Sequence, residues 1–346
     1  MKKILFLTLL AFTFAGCGGQ AQKPDTGLVW PSPPETPRIR FLKTITSSAD
    51  VEKKGWGTRF KEFLFGASGA ANLVKPYALF ATPDGRLYVA DSGWRKVLVF
   101  DQAQKRFFMI GVDGPGALAG PMGVAADQSG RVYVTDTVIR KLLVYDPNGA
   151  YLFAIGDLNR FERPVGVAIN NELKRVYVAD TRKHQVFAFD LEGNFLFEFG
   201  SRGVEDGAFN FPANLFVDRS GKIYVTDMNF RVQVFDPDGK FLAKFGSVGT
   251  GFGQFSLPKG IGVDSQGHIY VVDSRFNNVQ IFNQEGRLLL FFGEFGADPG
   301  QFWLPAGLAI DDQDRIYVAD QYNHRIDVFQ YIGPREKSEE PAGAPS

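Results

Sequence analysis

A chain of 346 residues that is 45% hydrophobic has enough apolar material for a large core. Lys plus Arg and Asp plus Glu each number 38, so the formal net charge is zero and no overall field draws the protein to nucleic acid or to an acidic surface. The single cysteine, Cys17, excludes an internal disulfide.

In chain order, Lys2-Lys3, an apolar run from Ile4 to Phe14 and then Ala15-Gly16 have the layout of a secretory signal peptide, predicted over residues 1–16. The apolar run is about half of the roughly 20 residues that span a bilayer as a helix, which favours a signal peptide over a transmembrane anchor. Cys17, directly after two small residues, resembles the lipobox of bacterial lipoproteins, with Phe14 where that family most often has Leu. The resemblance implies that Cys17 becomes an acylated N-terminus, so that the mature protein is a membrane-anchored lipoprotein of the bacterial cell envelope. Two or more acyl chains anchor stably where one does not. Gly18 and Gly19, with no Asp beside the cysteine, imply outer-membrane sorting in a Gram-negative host.

Residues 17–37 hold the lipidation site and then Pro24, Pro31, Pro33, Pro34 and Pro37, the composition of an extended, semi-rigid tether. Arg38 to Ile45 reads as a lone strand. Residues 46–75 are an insertion, within which Arg59 to Phe65 fits a short amphipathic helix or a strand. The body of the chain is a phrase repeated six times: Tyr88 to Asp91, Tyr133 to Asp136, Tyr177 to Asp180, Tyr224 to Asp227, Tyr270 to Asp273 and Tyr317 to Asp320, with Asp-to-Asp steps of 45, 44, 47, 46 and 47 residues. A unit of this length, copied end to end, points to a β-propeller. Within the copy from Phe211 to Gly246, four short strands are predicted, separated by turns such as Arg219-Ser-Gly221 and Asp236-Pro-Asp-Gly239. The sixth copy stops after its third strand, so the strand at residues 38–45 is predicted to complete the last blade and close the ring. The propeller is thus assigned to residues 38–332, and the charged, Pro-containing stretch 333–346 to a disordered tail.

Pro-x-Gly followed by an apolar strand, then Tyr-Val-x-Asp, then a loop ending in Arg and a further apolar strand resembles the NHL repeat. Pro305-Ala-Gly307, Tyr317-Val-Ala-Asp320 and Asn323-His-Arg-Ile326 carry it most fully. The resemblance covers all six copies and implies an all-β, six-bladed propeller. Known members include protein- and RNA-binding scaffolds, a zinc-dependent amidating lyase, and relatives among lactonases and streptogramin lyases, so the fold alone does not give an activity. In the amidating lyase, zinc-ligand histidines follow the Pro that opens the first strand. Here those positions hold Tyr77, Met122, Val165, Ala213, Lys259 and Ala306, which excludes that chemistry.

Asp91, Asp136, Asp180, Asp227, Asp273 and Asp320 end the second strand of every copy. They read either as a carboxylate ring for Ca²⁺ or as acceptors for loop amides and for the basic residue that follows (Lys96, Lys141, Arg231, Arg325). Uniform use in every blade favours the structural role. His184, His268 and His324 are too scattered to share a zinc ion and are expected in surface loops. No triad or phosphate loop is apparent. No cofactor is therefore expected, a divalent cation such as Ca²⁺ being the exception kept open. Recognition is expected from loop residues that differ among copies: Trp94, Arg95, Arg140, Arg182, Phe230, Arg275, Phe276 and Tyr322, aromatics beside arginines as at protein interfaces. Asn214 and Lys259 are candidates for a small ligand at the central channel. The function these observations favour is a non-catalytic envelope scaffold that binds another envelope protein. The alternative is a metal-dependent lactonase or lyase with its site at the channel. An RNA-binding role conflicts with the signal peptide and the neutral charge.

Overall fold

A computed structural model describes residues 27–52, 70–156 and 160–333. Residues 1–16, expected to be a signal peptide, Cys17, the segment Arg59 to Phe65 and the stretch after residue 333, expected to be a tail, lie outside the described residues. Six antiparallel sheets surround a central channel, five with four strands and one with five. Among the described residues no helix is long and apolar enough to cross a membrane.

Blade 4 shows why each repeat folds as it does. Its first strand, Pro212–Val217, lines the channel, and Ile223–Asp227 and Arg231–Phe235 pair outward in turn. Phe241–Phe245 forms the outer edge. The second and third strands are buried along their whole length, while the fourth is mostly exposed. That gradient explains the near-continuous apolar runs of the middle strands. The repeated tyrosines are fully buried between blades, and their hydroxyls find partners: Tyr133 donates to Asp127 (3.1 Å), Tyr224 to Asp218 (2.9 Å), Tyr270 to Asp264 (3.0 Å) and Tyr317 to Asp311 (3.1 Å). A buried ring with a satisfied hydroxyl contributes apolar burial of about 2 kcal/mol without a polar penalty.

The Pro-x-Gly phrase is a matter of space. A Cβ on Gly260 would stand 2.6 Å from the carbonyl oxygen of Ala306 in the next blade, and Gly123 and Gly307 face the neighbouring inner strands more closely still. Inner strands crowd at the channel, so only a residue without a side chain lets the backbones meet. Hydroxyls stitch the same seam. Thr135 donates to the Val165 carbonyl (2.6 Å), Thr181 to Pro212 (2.9 Å) and Thr226 to Lys259 (2.9 Å).

The ring closes as expected. Ile39–Ile45 pairs antiparallel with Arg325–Tyr331 and supplies the fourth strand of blade 6. Within the stretch 17–37, expected to be an extended tether, residues 29 and 30 are in regular structure. Val29–Trp30 folds back as a fifth strand on Ile39–Arg40, and the Trp30 ring packs against Phe292 (5.8 Å) and Phe329 (5.7 Å). One large aromatic side chain with two aromatic partners outweighs the extended preference of the flanking prolines.

Candidate binding face and channel mouth

Each repeat aspartate joins the loop that enters a blade to the turn between its second and third strands, which puts both on one face of the disc. Asp91 accepts from the amides of Val74 (2.8 Å), Lys75 (2.9 Å), Gly93 (2.9 Å) and Trp94 (3.1 Å). Asp136 does the same for Ala119, Gly120, Val138 and Ile139. Asp180 takes amides from Glu162 to Lys183, and Asp273 from Ser256 to Phe276. Asp227 and Asp320 add an arginine each, Arg231 at 3.3 Å and Arg325 at 3.1 Å, and burial nevertheless pushes both carboxyls above the ordinary range. The expected lysine partners do not engage: Lys96 donates instead to the Arg95 carbonyl (3.2 Å), and Lys141 makes no ion pair among the described residues. All six aspartates are fully buried, and among the described residues no group of three or more His, Cys, Asp or Glu side chains is arranged to hold a metal ion.

The turns themselves have one shape. Arg95, Arg140, His184, Phe230, Asn277 and His324 all sit at the same turn position with φ between 54 and 59°. Three of the predicted face residues, Arg95, Arg140 and Phe230, therefore share a left-handed backbone with two histidines and an asparagine. His184 corrects an expectation, because it is buried rather than a surface residue. Its Nδ1 accepts from the Phe211 amide (3.1 Å) and its ring lies 4.6 Å from that of Phe211. His268 lies on the opposite face, beside Asp264 (2.8 Å).

The predicted face residues are spread around the ring and do not form one cluster. Trp94, Arg95, Arg140, Arg182, Arg275 and Tyr322 are exposed, while Phe230 and Phe276 are half-buried. Trp94 is fixed by its Nε1 bond to the Asn72 carbonyl (2.7 Å). Tyr322 alone enters a larger assembly, one that sequence reasoning missed. Trp303 stacks on it (5.7 Å), Phe295 packs edge-on against Trp303 (6.0 Å), and Lys75 lies 5.7 Å over the Tyr322 ring. Phe252, 85% exposed, stands in the preceding blade-to-blade loop beside Phe291 (5.9 Å).

These loops are firmly held. Arg231 donates to the carbonyls of Val204 (2.8 Å), Glu205 (3.1 Å) and Ala208 (2.8 Å). Arg325 does the same for Ala297 (2.6 Å), Asp298 (2.8 Å) and Gln301 (2.6 Å), and Gln280 holds the Gln254 carbonyl (2.9 Å). The signal was in the third strands, where Gln233, Gln280 and Asp327 replace the Leu98, Leu143 and Phe187 of blades 1 to 3. A polar residue at a core position implies a fixed polar neighbour.

At the channel, Asn214 lines a narrow cavity of about 70 Å³, room for a few waters, together with Ala78, Gly123, Ala168 and Ile261. Its Oδ1 accepts from the Leu215 amide (2.8 Å). Lys259 stands at the mouth, half-buried, with its Nζ 5.7 Å over the Tyr77 ring. Burial, reinforced by the charge of Lys75, lowers its ammonium pKa, and Asp273 opposes this. The mouth is thus cationic, which disfavours a divalent metal there.

Concentric antiparallel blades around a channel define the protein as a six-bladed β-propeller. Three of its blades match the NHL repeat, at residues 161–189, 255–282 and 302–329. No curated protein matches its sequence significantly. Solved structures with the same fold include a protein of unknown function from Bacteroides thetaiotaomicron, with 20% identity over 85% of this chain and 75% of that one and a TM-score of 0.60. A catalytically inactive virginiamycin B lyase from Staphylococcus aureus with quinupristin is 13% identical over 78% of this chain and 86% of that one, with a TM-score of 0.57. An auxiliary nutrient binding protein, also from Bacteroides thetaiotaomicron, is 14% identical over 75% of this chain and 70% of that one, with a TM-score of 0.59.

Proposed function

We propose that this protein is a non-catalytic binding platform of the bacterial cell envelope, tethered through an acylated Cys17, that presents its loop face to another envelope protein. The observation carrying the reading is the aromatic ladder of Phe295, Trp303 and Tyr322 on loops that Arg325 and Asp320 hold in place. Aromatic groups on a prefixed backbone bind without first giving up loop entropy, and such residues dominate protein–protein affinity. Trp303 and Tyr322 remain 45% and 43% exposed, a large apolar area for rings already stacked on each other.

The test is crosslinking of the full chain in envelopes of its host, with parent and Trp303→Ala/Tyr322→Ala protein compared. A discrete crosslinked partner that weakens at least tenfold in the double variant is expected. Equal capture by both forms, or none by either, would remove the loop face from the function. The metal-dependent lactonase or lyase alternative requires a cation at the channel. A saturable thermal shift with Ca²⁺ or Mg²⁺, abolished by chelator, would favour it.

A further inference from the structure

The mouth of the channel gathers basic side chains that no carboxylate ion-pairs among the described residues, Asp273 acting on Lys259 only from a distance. The residue just before the opening proline is Lys75 in blade 1 and Arg163 in blade 3, and the residue just after it is Tyr77 in blade 1 and Lys259 in blade 5. Blade 6, which stands between blades 5 and 1, has Ala306 at the corresponding position, so the Lys259 side chain crosses a small residue to lie over the Tyr77 ring at 5.7 Å. Among the described residues, Lys75, Arg163 and Lys259 make no ion pair, and the Tyr77 hydroxyl makes no hydrogen bond. The buried or half-buried Arg86 and Arg315, by contrast, pair with Asp101 (3.0 Å) and Asp311.

We propose that Lys259, Lys75 and Arg163, with the Tyr77 hydroxyl as a further donor, form a site at the channel mouth for an oxyanion, the carboxylate or phosphate group of a small ligand. The three cations come from alternate blades, and Lys75 is near enough to Lys259, and Arg163 to Tyr77, to act on their charge, with the Lys75 ammonium over the Tyr322 ring at the rim of the mouth. A like charge beside a partly desolvated ammonium is unfavourable until a counter-charge arrives, and burial together with Lys75 does lower the Lys259 pKa. Arg163 acts in the same sense on Tyr77, opposing the upward push of burial on the phenol. An anion seated among these groups would gain charge-assisted hydrogen bonds from ammonium, guanidinium and phenol. The cavity beneath, lined by Asn214 and small apolar residues, is too narrow for more than a few waters, so the body of the ligand would extend outward over the loop face.

The experiment is isothermal titration of the purified full chain with inorganic phosphate and, separately, with succinate, both at constant ionic strength against chloride. Saturable binding of at least one is expected, and the tighter of the two identifies the group. Lys259→Met should weaken it at least tenfold, and Arg163→Gln, an exposed position that leaves the core untouched, should weaken it severalfold. Binding of neither probe above the chloride control, or equal binding by the parent and a folded Arg163→Gln protein, would overturn the proposal.

Discussion

Asp327 occupies a position that Leu98 and Phe187 fill in other blades, and its surroundings set its charge. Thr44 donates to Oδ1 (2.7 Å), while the Arg325 guanidinium lies 3.1 Å from Oδ2 but off a hydrogen-bonding direction. Burial outweighs both and pushes the carboxyl up to about 7. A carboxyl whose pKa is higher in the folded than the unfolded state carries its extra proton in the native protein. Its stabilising contribution is complete below about pH 4, near the unfolded value, and is lost as the pH rises through 7. Asp327→Asn keeps an acceptor for Thr44 and cannot ionise, so its stability relative to the parent should rise by about 2–3 kcal/mol between pH 5 and pH 8. Thermal melts at the two pH values check this, and a constant difference would contradict it. The repeat aspartates behave otherwise. Asp136→Ala would strand the amides of Ala119, Gly120, Val138 and Ile139, at a cost of about 2–4 kcal/mol by chemical denaturation. That role was legible in the sequence, since a residue used six times alike serves the scaffold. The left-handed turn was not, because Arg, His, Phe and Asn share it and none announces positive φ as glycine does.

At the scale of the element, the closing strand was readable because the last repeat lacks a fourth strand and residues 38–45 have no repeat of their own. Ile39, Phe41 and Ile45 are buried against blade 6, and Phe41 packs edge-on to Phe329 (5.5 Å). Deleting residues 38–45 should lower the melting midpoint sharply, and an unchanged midpoint would contradict the closure. The docking of Val29–Trp30 could not be read, because its partners Phe292 and Phe329 lie more than 250 residues further on and proline-rich composition signals only local extension. Trp30→Ala is expected to cost about 2 kcal/mol, less than a fully buried tryptophan, and to be visible as a lower denaturation midpoint. The aromatic loops were partly readable. Tyr322 fell within the turns expected to vary, whereas Phe252, Phe295 and Trp303 belong to connections between blades that share the same face only once the disc is assembled.

Over the whole molecule, the loop face is uneven. Exposed aromatics gather on blades 4 to 6, where Phe211, Phe252, Phe295, Trp303 and Tyr322 all lie, and the blade 1 side contributes Trp94. A partner contacting that sector would sit off-centre and leave the cationic channel mouth reachable. Because amide donors already occupy the repeat carboxylates, chelator should leave the melting midpoint unchanged, which a scan with and without EDTA checks. A drop of several degrees would show that a bound cation supports the fold.

The latch between Thr44 and Asp327 joins residues 283 apart, and it governs when the molecule can be finished. A chain delivered from its N-terminus, by ribosome or by secretion channel, releases its first strand long before that strand's partner exists. Five blades can form in sequence while Ile39, Phe41 and Ile45 wait unmatched. The disc stays open, and its leading end pliable, until Arg325–Tyr331 emerges. Assembly therefore ends in one late event, and a chain cut short by even its last blade would be left permanently ajar.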